Sequence, residues 1–512
     1  MKSWIHRQFL TRSLHHNRSL SHNRSLSLSK GLPFRSLSLS KGLLLSCILL
    51  LITPIMAQKS SFFDMKLLKT ISVGAYQGVN PIFVADLDGD NLPELVTVQS
   101  DYRDNAATLV IVSGAASYKQ TRIHFGSSYG TPGVSFGYAC GAIALARTQL
   151  PNGSKRGTIY VVAGTAQQKL LYAYAYYGYE RVEEIASVAL QQNLYGNPAV
   201  ADFDGDGRDE VYVGNEVFDA YLLNPIGSGE GGNVGRHLQH DGTMFSLSVA
   251  ADVLPELPGK ELVCGNQIYS VHPNQAPTGV RWVQTVGETA QDGSALVADF
   301  TGDNKLDILV RDINGGLSLY NPATNQCLLH QDYLTMRAYP AVGDIDGDGM
   351  PEIVGLKNNH QLAAYKYVPA RGGLREFWSM HHTDVSAQTS MTLFDFNGDG
   401  KQEIVYRDET SLRVINGSGK SHVTGNDSIV SGNRVAYNLA AFQVSSVTKS
   451  EYPVVADVNG DGQTEIVIGG TLYVPYKDGN ATINIFGANI VPWQPAPPIW
   501  PQYVKELEVI GP

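Results

Sequence analysis

The chain has 512 residues, with 38 Lys and Arg against 48 Asp and Glu, a formal net charge of −10 and four cysteines. Eight of the basic residues and none of the acids fall in residues 1–57, so the remainder carries −18. An acidic body without a basic cluster excludes a nucleic-acid partner, and so few cysteines exclude a disulfide framework.

The leader is read first. Lys2, Arg7, Arg12, Arg18, Arg24, Lys30, Arg35 and Lys41 precede the apolar run Leu43–Ile52, and Ala57 ends the segment before Gln58. A basic stretch, a short apolar core and a small residue predict a secretory signal over 1–57. The run is too short for a transmembrane span, so none is expected in the mature chain. The tract Arg24–Leu32 recurs at Arg35–Leu43, which points to a natural start nearer Lys41 or to a disordered leader that is removed. Leu67–Gly74 then reads as a strand.

Six copies of one nine-residue acidic element follow, beginning at Asp86, Asp202, Asp299, Asp344, Asp395 and Asp457. Side-chain oxygens fall at positions 1, 3, 5 and 9. In chain order these are Asp86, Asp88, Asp90 and Glu94; Asp202, Asp204, Asp206 and Glu210; Asp299, Thr301, Asp303 and Asp307. The last three copies supply Asp344, Asp346, Asp348 and Glu352; Asp395, Asn397, Asp399 and Glu403; Asp457, Asn459, Asp461 and Glu465. Position 4 is Gly, and position 6 is Gly or Asn, the residues that tolerate left-handed backbone. Oxygens at alternate positions of a tight turn converge on one point, where a hard cation with six to eight oxygen ligands fits. One copy is equally a solvated acidic turn; six at one spacing predict Ca2+. An EF-hand is excluded, because position 12 is apolar or small (Val213, Gly355) and the flanks are β-branched runs such as Pro453–Ala456 and Glu465–Ile468.

Two of the gaps between copies are about double width. Each holds a degenerate unit: Gly141–Arg147 and Gly157–Gly164 around Asn152–Gly153, and Ser248–Asp252 with Lys260–Gly265. Eight units result, each with room for four strands; unit five offers 295–300, 307–311, 316–321 and 326–334. The last unit lacks a fourth strand of its own, and Leu67–Gly74 has no unit. The expected fold is all-β: a β-propeller of four-stranded blades, eight favoured over seven, in which the amino-terminal strand completes the last blade beside 483–488 and closes a ring. The organisation is then leader 1–57, propeller 58–490, and a proline-rich tail 491–512, read as a frayed end or a linker to a further domain.

The acidic element with apolar strands on either side resembles the FG-GAP (VCBS-type) repeats of integrin α-subunit propellers and bacterial extracellular proteins. The resemblance covers roughly Leu67 to Ala488. It implies a secreted or cell-surface, calcium-stabilised propeller for cell adhesion or for binding an extracellular glycan or protein. It also implies a main-chain carbonyl ligand at position 7, here Leu92, Arg208, Lys305, Met350, Lys401 and Gln463. Thr301 departs from the pattern and predicts a weak site, whereas the loop at Asp344 has a full carboxylate set; five or six ions are expected. Ligand recognition would fall to the opposite face, on the loops before each first strand: Tyr76, Tyr195, Phe245, Asp292, Tyr339, His381 and Tyr452. The enzymatic alternative is a polysaccharide lyase, since Asp252–Glu261 is faintly similar to rhamnogalacturonan lyases. No base and cation at an open groove can be assembled from the sequence, so a binding role is preferred.

Other motifs carry less. Gly417–Ser421 lacks the first glycine of a phosphate loop, and adjacent His381 and His382 point to opposite faces of a strand. Asn152, Asn416, Asn426 and Asn480 begin glycosylation sequons. The aromatic alternation at Tyr172–Tyr179 reads as packing between blades, and Cys140, Cys264 and Cys327 as buried strand residues.

Overall fold

The computed structural model describes residues 62–75, 81–101, 106–125, 142–165, 167–238, 244–332, 334, 336, 338–358, 361–384, 386–421, 434–444, 452–470, 480–500 and 502. Strands dominate; the only helical pieces among these residues are the turns Pro273–Gln275, Pro322–Thr324 and Pro369–Arg371. None of the described helices is long and apolar enough to cross a membrane.

Eight four-stranded sheets follow one another, and within each the neighbouring strands run antiparallel. In chain order they span 83–125, 143–189, 199–228, 249–285, 293–331, 341–381, 392–443 and 454–488, and are called sheets 1 to 8. Burial is graded across each sheet. The second strands Glu210–Val213 and Asp307–Asp312 are buried at every position, while the outer strands Val182–Ala189 and Gln326–Gln331 are mostly open to solvent. Strands covered on both faces read as continuous apolar runs, and those at the rim alternate. In seven of the eight sheets the outer strand pairs through a register shift, which adds twist where the sheet must fan outward.

Neighbouring sheets share cores all the way round. Tyr160 of sheet 2 packs in one cluster with Val211 of sheet 3, Tyr212 of sheet 3 with Leu262 of sheet 4, and Val263 of sheet 4 with Ile308 of sheet 5. Val354 of sheet 6 shares a cluster with Ile404 of sheet 7, and Val405 of sheet 7 with Ile466 of sheet 8. The largest cluster takes in Val467 of sheet 8, Val96 of sheet 1 and Ile143 of sheet 2, and also Leu309 and Ile353 of sheets 5 and 6.

The strand expected to complete the last sheet does so. Met65–Ala75 pairs antiparallel with Asn480–Ala488, from Met65 opposite Ala488 to Ala75 opposite Asn480. It also meets sheet 1, where Arg122 Nη1 donates to the Val73 carbonyl at 2.9 Å and Gln120 Nε2 to that of Ser72 at 2.6 Å.

The described part of the proline-rich segment, 491–500 and 502, packs against the sheets and does not add a strand to sheet 8; the remainder of the tail lies outside the described residues. Trp493 is buried against Phe396, with ring centroids 4.9 Å apart, and its indole N–H donates to the Phe62 carbonyl at 3.2 Å. Trp500 exchanges backbone hydrogen bonds with Val84 at 2.8 and 2.6 Å. Gln502 pairs with Ala144, and its side chain accepts from the Val200 amide at 2.9 Å. Val84, Ala144 and Val200 lie on the first strands of sheets 1, 2 and 3, so the tail runs along their inner edges. Single bridges between prolines replace a ladder, because proline has no N–H to donate. Trp500 is half-buried, so Trp500→Ala should release the tail at a cost of about 0.5–3 kcal/mol. Limited proteolysis reads this out: cleavage within 490–502 is expected in the variant and not in the native chain, and equal resistance would contradict the docking.

Candidate metal centres

Each acidic element joins the first strand of its sheet to the second, so the six loops occupy equivalent places. Their glycines and asparagines adopt the required left-handed backbone: φ is +83° at Gly89 and +67° at Asn91, and +72° and +84° at Gly205 and Gly207. The position-1 aspartate folds the turn. Asp86 Oδ1 accepts from the Gly89 amide at 2.7 Å and Oδ2 from that of Asn91 at 3.1 Å, and Asp395 repeats this with Gly398 at 2.7 Å and Gly400 at 2.9 Å. The position-9 carboxylate reaches back to the amide of position 2, at 3.0 Å for Glu94 to Leu87, Glu210 to Phe203, Asp307 to Phe300, Glu403 to Phe396 and Glu465 to Val458, and 3.1 Å for Glu352 to Ile345.

The electrostatics are those of a site short of positive charge. Burial, then the neighbouring aspartates, pushes Glu94, Glu210, Glu403 and Glu465 up to about 8, and Asp307 up to about 7. Burial and the adjacent carboxylates also raise Asp88 and Asp204. Carboxylate oxygens of positions 1, 3 and 5 lie within 4.8 Å of one another at Asp86–Asp88–Asp90, Asp202–Asp204–Asp206 and Asp344–Asp346–Asp348. Asp88 Oδ1 is buried and has no hydrogen-bond donor among the described residues. A buried, crowded acceptor of that kind fits a cation. Position-1, -3, -5 and -9 side chains with the position-7 carbonyl would hold it, and the ion would neutralise the cluster and tie the two strands together.

The loop at Asp344 differs. Lys366 places its ammonium within ion-pair reach of Asp346, Asp348 and Glu352. Burial pushes Asp348 up, but the Lys366 ammonium more than reverses this and holds its carboxyl below the usual range.

The pattern of these loops has relatives. The family described as FG-GAP-like repeat matches residues 344–406 and 395–468. The chain carries FG-GAP-like repeats. No curated protein sequence matches it. Among solved structures it is similar to the V. cholerae biofilm matrix protein Bap1, at 14% identity over 87% of this chain and 94% of that one, with a TM-score of 0.56. Weaker likenesses are to rhamnogalacturonan lyase YesW (18% identity, 79% of this chain and 60% of that one, TM-score 0.36) and the WD40 domain of Sif2 (11%, 82% and 97%, 0.38). The Bap1 likeness places the fold among propeller-like proteins.

Residues outside the six acidic loops fall less simply. Sheet 4 keeps an aspartate at position 1, Asp252, but lacks the Asp, Asn or Thr that the six loops carry at positions 3 and 5; Glu261 nonetheless keeps the position-9 role, accepting from the Val253 and Leu254 amides at 3.0 Å each. The spacing of Lys260–Gly265 after a strand was the available signal for it. Of the residues expected to face a ligand, Phe245, Tyr339 and Tyr452 are buried and present no ring: Phe245 stacks on His237, Tyr339 donates to the Ala295 carbonyl, and Tyr452 meets Trp500. Residues just before an inner strand lie where sheets converge, so apolar rings there fill the core. Asp292 binds the Val234, Gly235 and Arg236 amides and the Arg236 guanidinium, which makes it a loop clamp. Tyr195 lies under the Lys169 ammonium, 4.2 Å from its ring centroid, His381 is exposed, and Tyr76 lies outside the described residues. Tyr172 and Tyr174 pack edge-on against Phe125 of sheet 1, as the packing reading expects. Cys264 is buried, but Cys327 is exposed, since its outer strand is covered on one face only; Cys140 lies outside the described residues.

Proposed function

We propose that the chain is a secreted or cell-surface propeller of eight blades, closed by its amino-terminal strand, braced by calcium in its FG-GAP loops, and used for adhesion or recognition of an extracellular glycan or protein. The observation that carries this reading is the repeated loop itself: in three of the six, carboxylate oxygens of positions 1, 3 and 5 lie within 4.8 Å of one another with the buried position-9 carboxylate behind them. An ion so enclosed has few positions left for a substrate, which favours a scaffold over a catalyst. The basic and apolar leader supports export, where calcium is plentiful. The matrix role named for Bap1 is carried here as the class of function to test.

The segment that suggested a lyase forms the loop of sheet 4 that lacks the repeated acidic run. Its Glu261 is buried against backbone amides and offers no base to a groove. Binding of the calcium-loaded full chain to immobilised polysaccharides and matrix proteins tests the proposal. Saturable binding that EGTA abolishes is the expected result. Absence of binding, together with release of unsaturated products from pectic polysaccharide, would replace recognition by lyase chemistry.

A further inference from the structure

We propose that the loop Asp344–Glu352 is closed by an internal cation, the Lys366 ammonium, and takes no metal ion. The inference refines the calcium reading of the other five loops and rests on it for the ion count.

Lys366 sits on the strand Gln361–Val368, directly opposite Glu352 in the ladder. From there Nζ lies 2.9 Å from Glu352 Oε1 and 3.3 Å from Asp346 Oδ2, and it also contacts Asp348 Oδ2. Positions 3, 5 and 9 of the loop, three of its four side-chain ligands, therefore converge on one nitrogen. The fourth, Asp344, is engaged by the amides of Gly347 and Gly349 at 2.6 and 2.8 Å. The ammonium donates hydrogen bonds to Asp346 and Asp348 and stands within ion-pair distance of Glu352 Oε1 without a hydrogen bond to it, so its charge is shared by three carboxylates.

The corresponding place is different in other sheets. Asp219 stands opposite Glu210, Ser270 opposite Glu261 and Gly487 opposite Glu465. None of these brings a positive charge. At Asp307 a neutral amide, Asn321 Nδ2, donates at 2.9 Å. At position 3 the first loop contrasts with this one: Asp88 Oδ1 is buried without a donor among the described residues, whereas the equivalent Asp346 meets the lysine.

A calcium ion bonds oxygens at about 2.3–2.6 Å and needs the volume the ammonium fills. Binding a metal there would require Lys366 to leave three carboxylates and move away from a second positive charge. A loop with the same full carboxylate set as those at Asp86 and Asp202 is thus one that does not need an ion. What looks in sequence like one of the three strongest sites is a lysine-locked one.

The test compares the full chain with Lys366→Met, Asp346→Ala and Asp88→Ala, counting bound calcium by atomic emission after dialysis and recording melting in EGTA. Lys366→Met should bind one ion more than the native chain and melt lower in EGTA, with calcium restoring the loss. Asp346→Ala should leave the count unchanged, whereas Asp88→Ala should lower it by one. Loss of an ion in Asp346→Ala, or an unchanged count in Lys366→Met, overturns the proposal. If Lys366→Met does not fold, the Asp346→Ala count decides. If the native chain binds no calcium at all, the calcium reading fails and the lysine lock is judged separately. A Lys366→Met melting temperature in EGTA equal to the native one then refutes it.

Discussion

Deletion of Met65–Val73 is expected to abolish the folded state or leave it open to aggregation and to proteolysis near residue 480. The segment supplies the outer strand of sheet 8, and its removal exposes the whole edge of Asn480–Ala488. Exposed strand edges recruit other chains. Met65, Ile71 and Val73 are also buried, and at about 1.5–3 kcal/mol each their loss totals roughly 5–9 kcal/mol. A folded protein of ordinary stability has only about 5–15 kcal/mol to lose. The seam with sheet 1 goes as well, since Arg122 and Gln120 bond to the backbone of this strand. Size-exclusion chromatography and limited proteolysis of the deletion read the effect. A monomer with native melting temperature and native cleavage pattern would contradict the role given to the strand.

The parts legible in sequence are those whose chemistry lies within a few residues. The loop ligands fall inside nine positions, and the glycine at 4 with Gly or Asn at 6 announces their backbone, so all six turns were readable one by one. The pairing of Met65–Ala75 with Asn480–Ala488 spans the chain but was readable by subtraction, as one strand lacked a unit and one unit lacked a strand. Contacts set by three-dimensional register were not readable. Lys366 lies fourteen residues beyond Glu352, and it faces that carboxylate only because the hairpin has an irregular register between Leu356 and Asn358. The tail escaped because proline suppresses the strand signal even where single bridges form, as at Trp500 and Val84. The aromatics before the inner strands were misplaced because nothing local distinguishes a ring that fills the core from one that caps a surface.

Removal of divalent ions is expected to have a comparably large effect, and one that depends on pH in a defined direction. Each occupied site stabilises the native state by about 3–4 kcal/mol when free calcium exceeds its Kd by 100- to 1,000-fold. Without the ion, the position-9 carboxylates are buried beside other acids and are pushed up to about 8 at Glu94, Glu210, Glu403 and Glu465. Their pKa in the folded chain lies above that in the unfolded one. The metal-free protein therefore keeps its stability below the ordinary carboxylate range and loses it as pH rises toward 8. Calcium binds the ionised form, so its stabilising effect should grow over the same interval.

The most direct measurement is differential scanning calorimetry of the full chain in excess calcium and in excess EGTA, at pH 5 and at pH 8. The expected result is a melting temperature at pH 8 lower by at least roughly 10 °C in EGTA, with a smaller gap at pH 5. Coincident curves in calcium and EGTA at both pH values would contradict the claim that ions in the FG-GAP loops brace the ring.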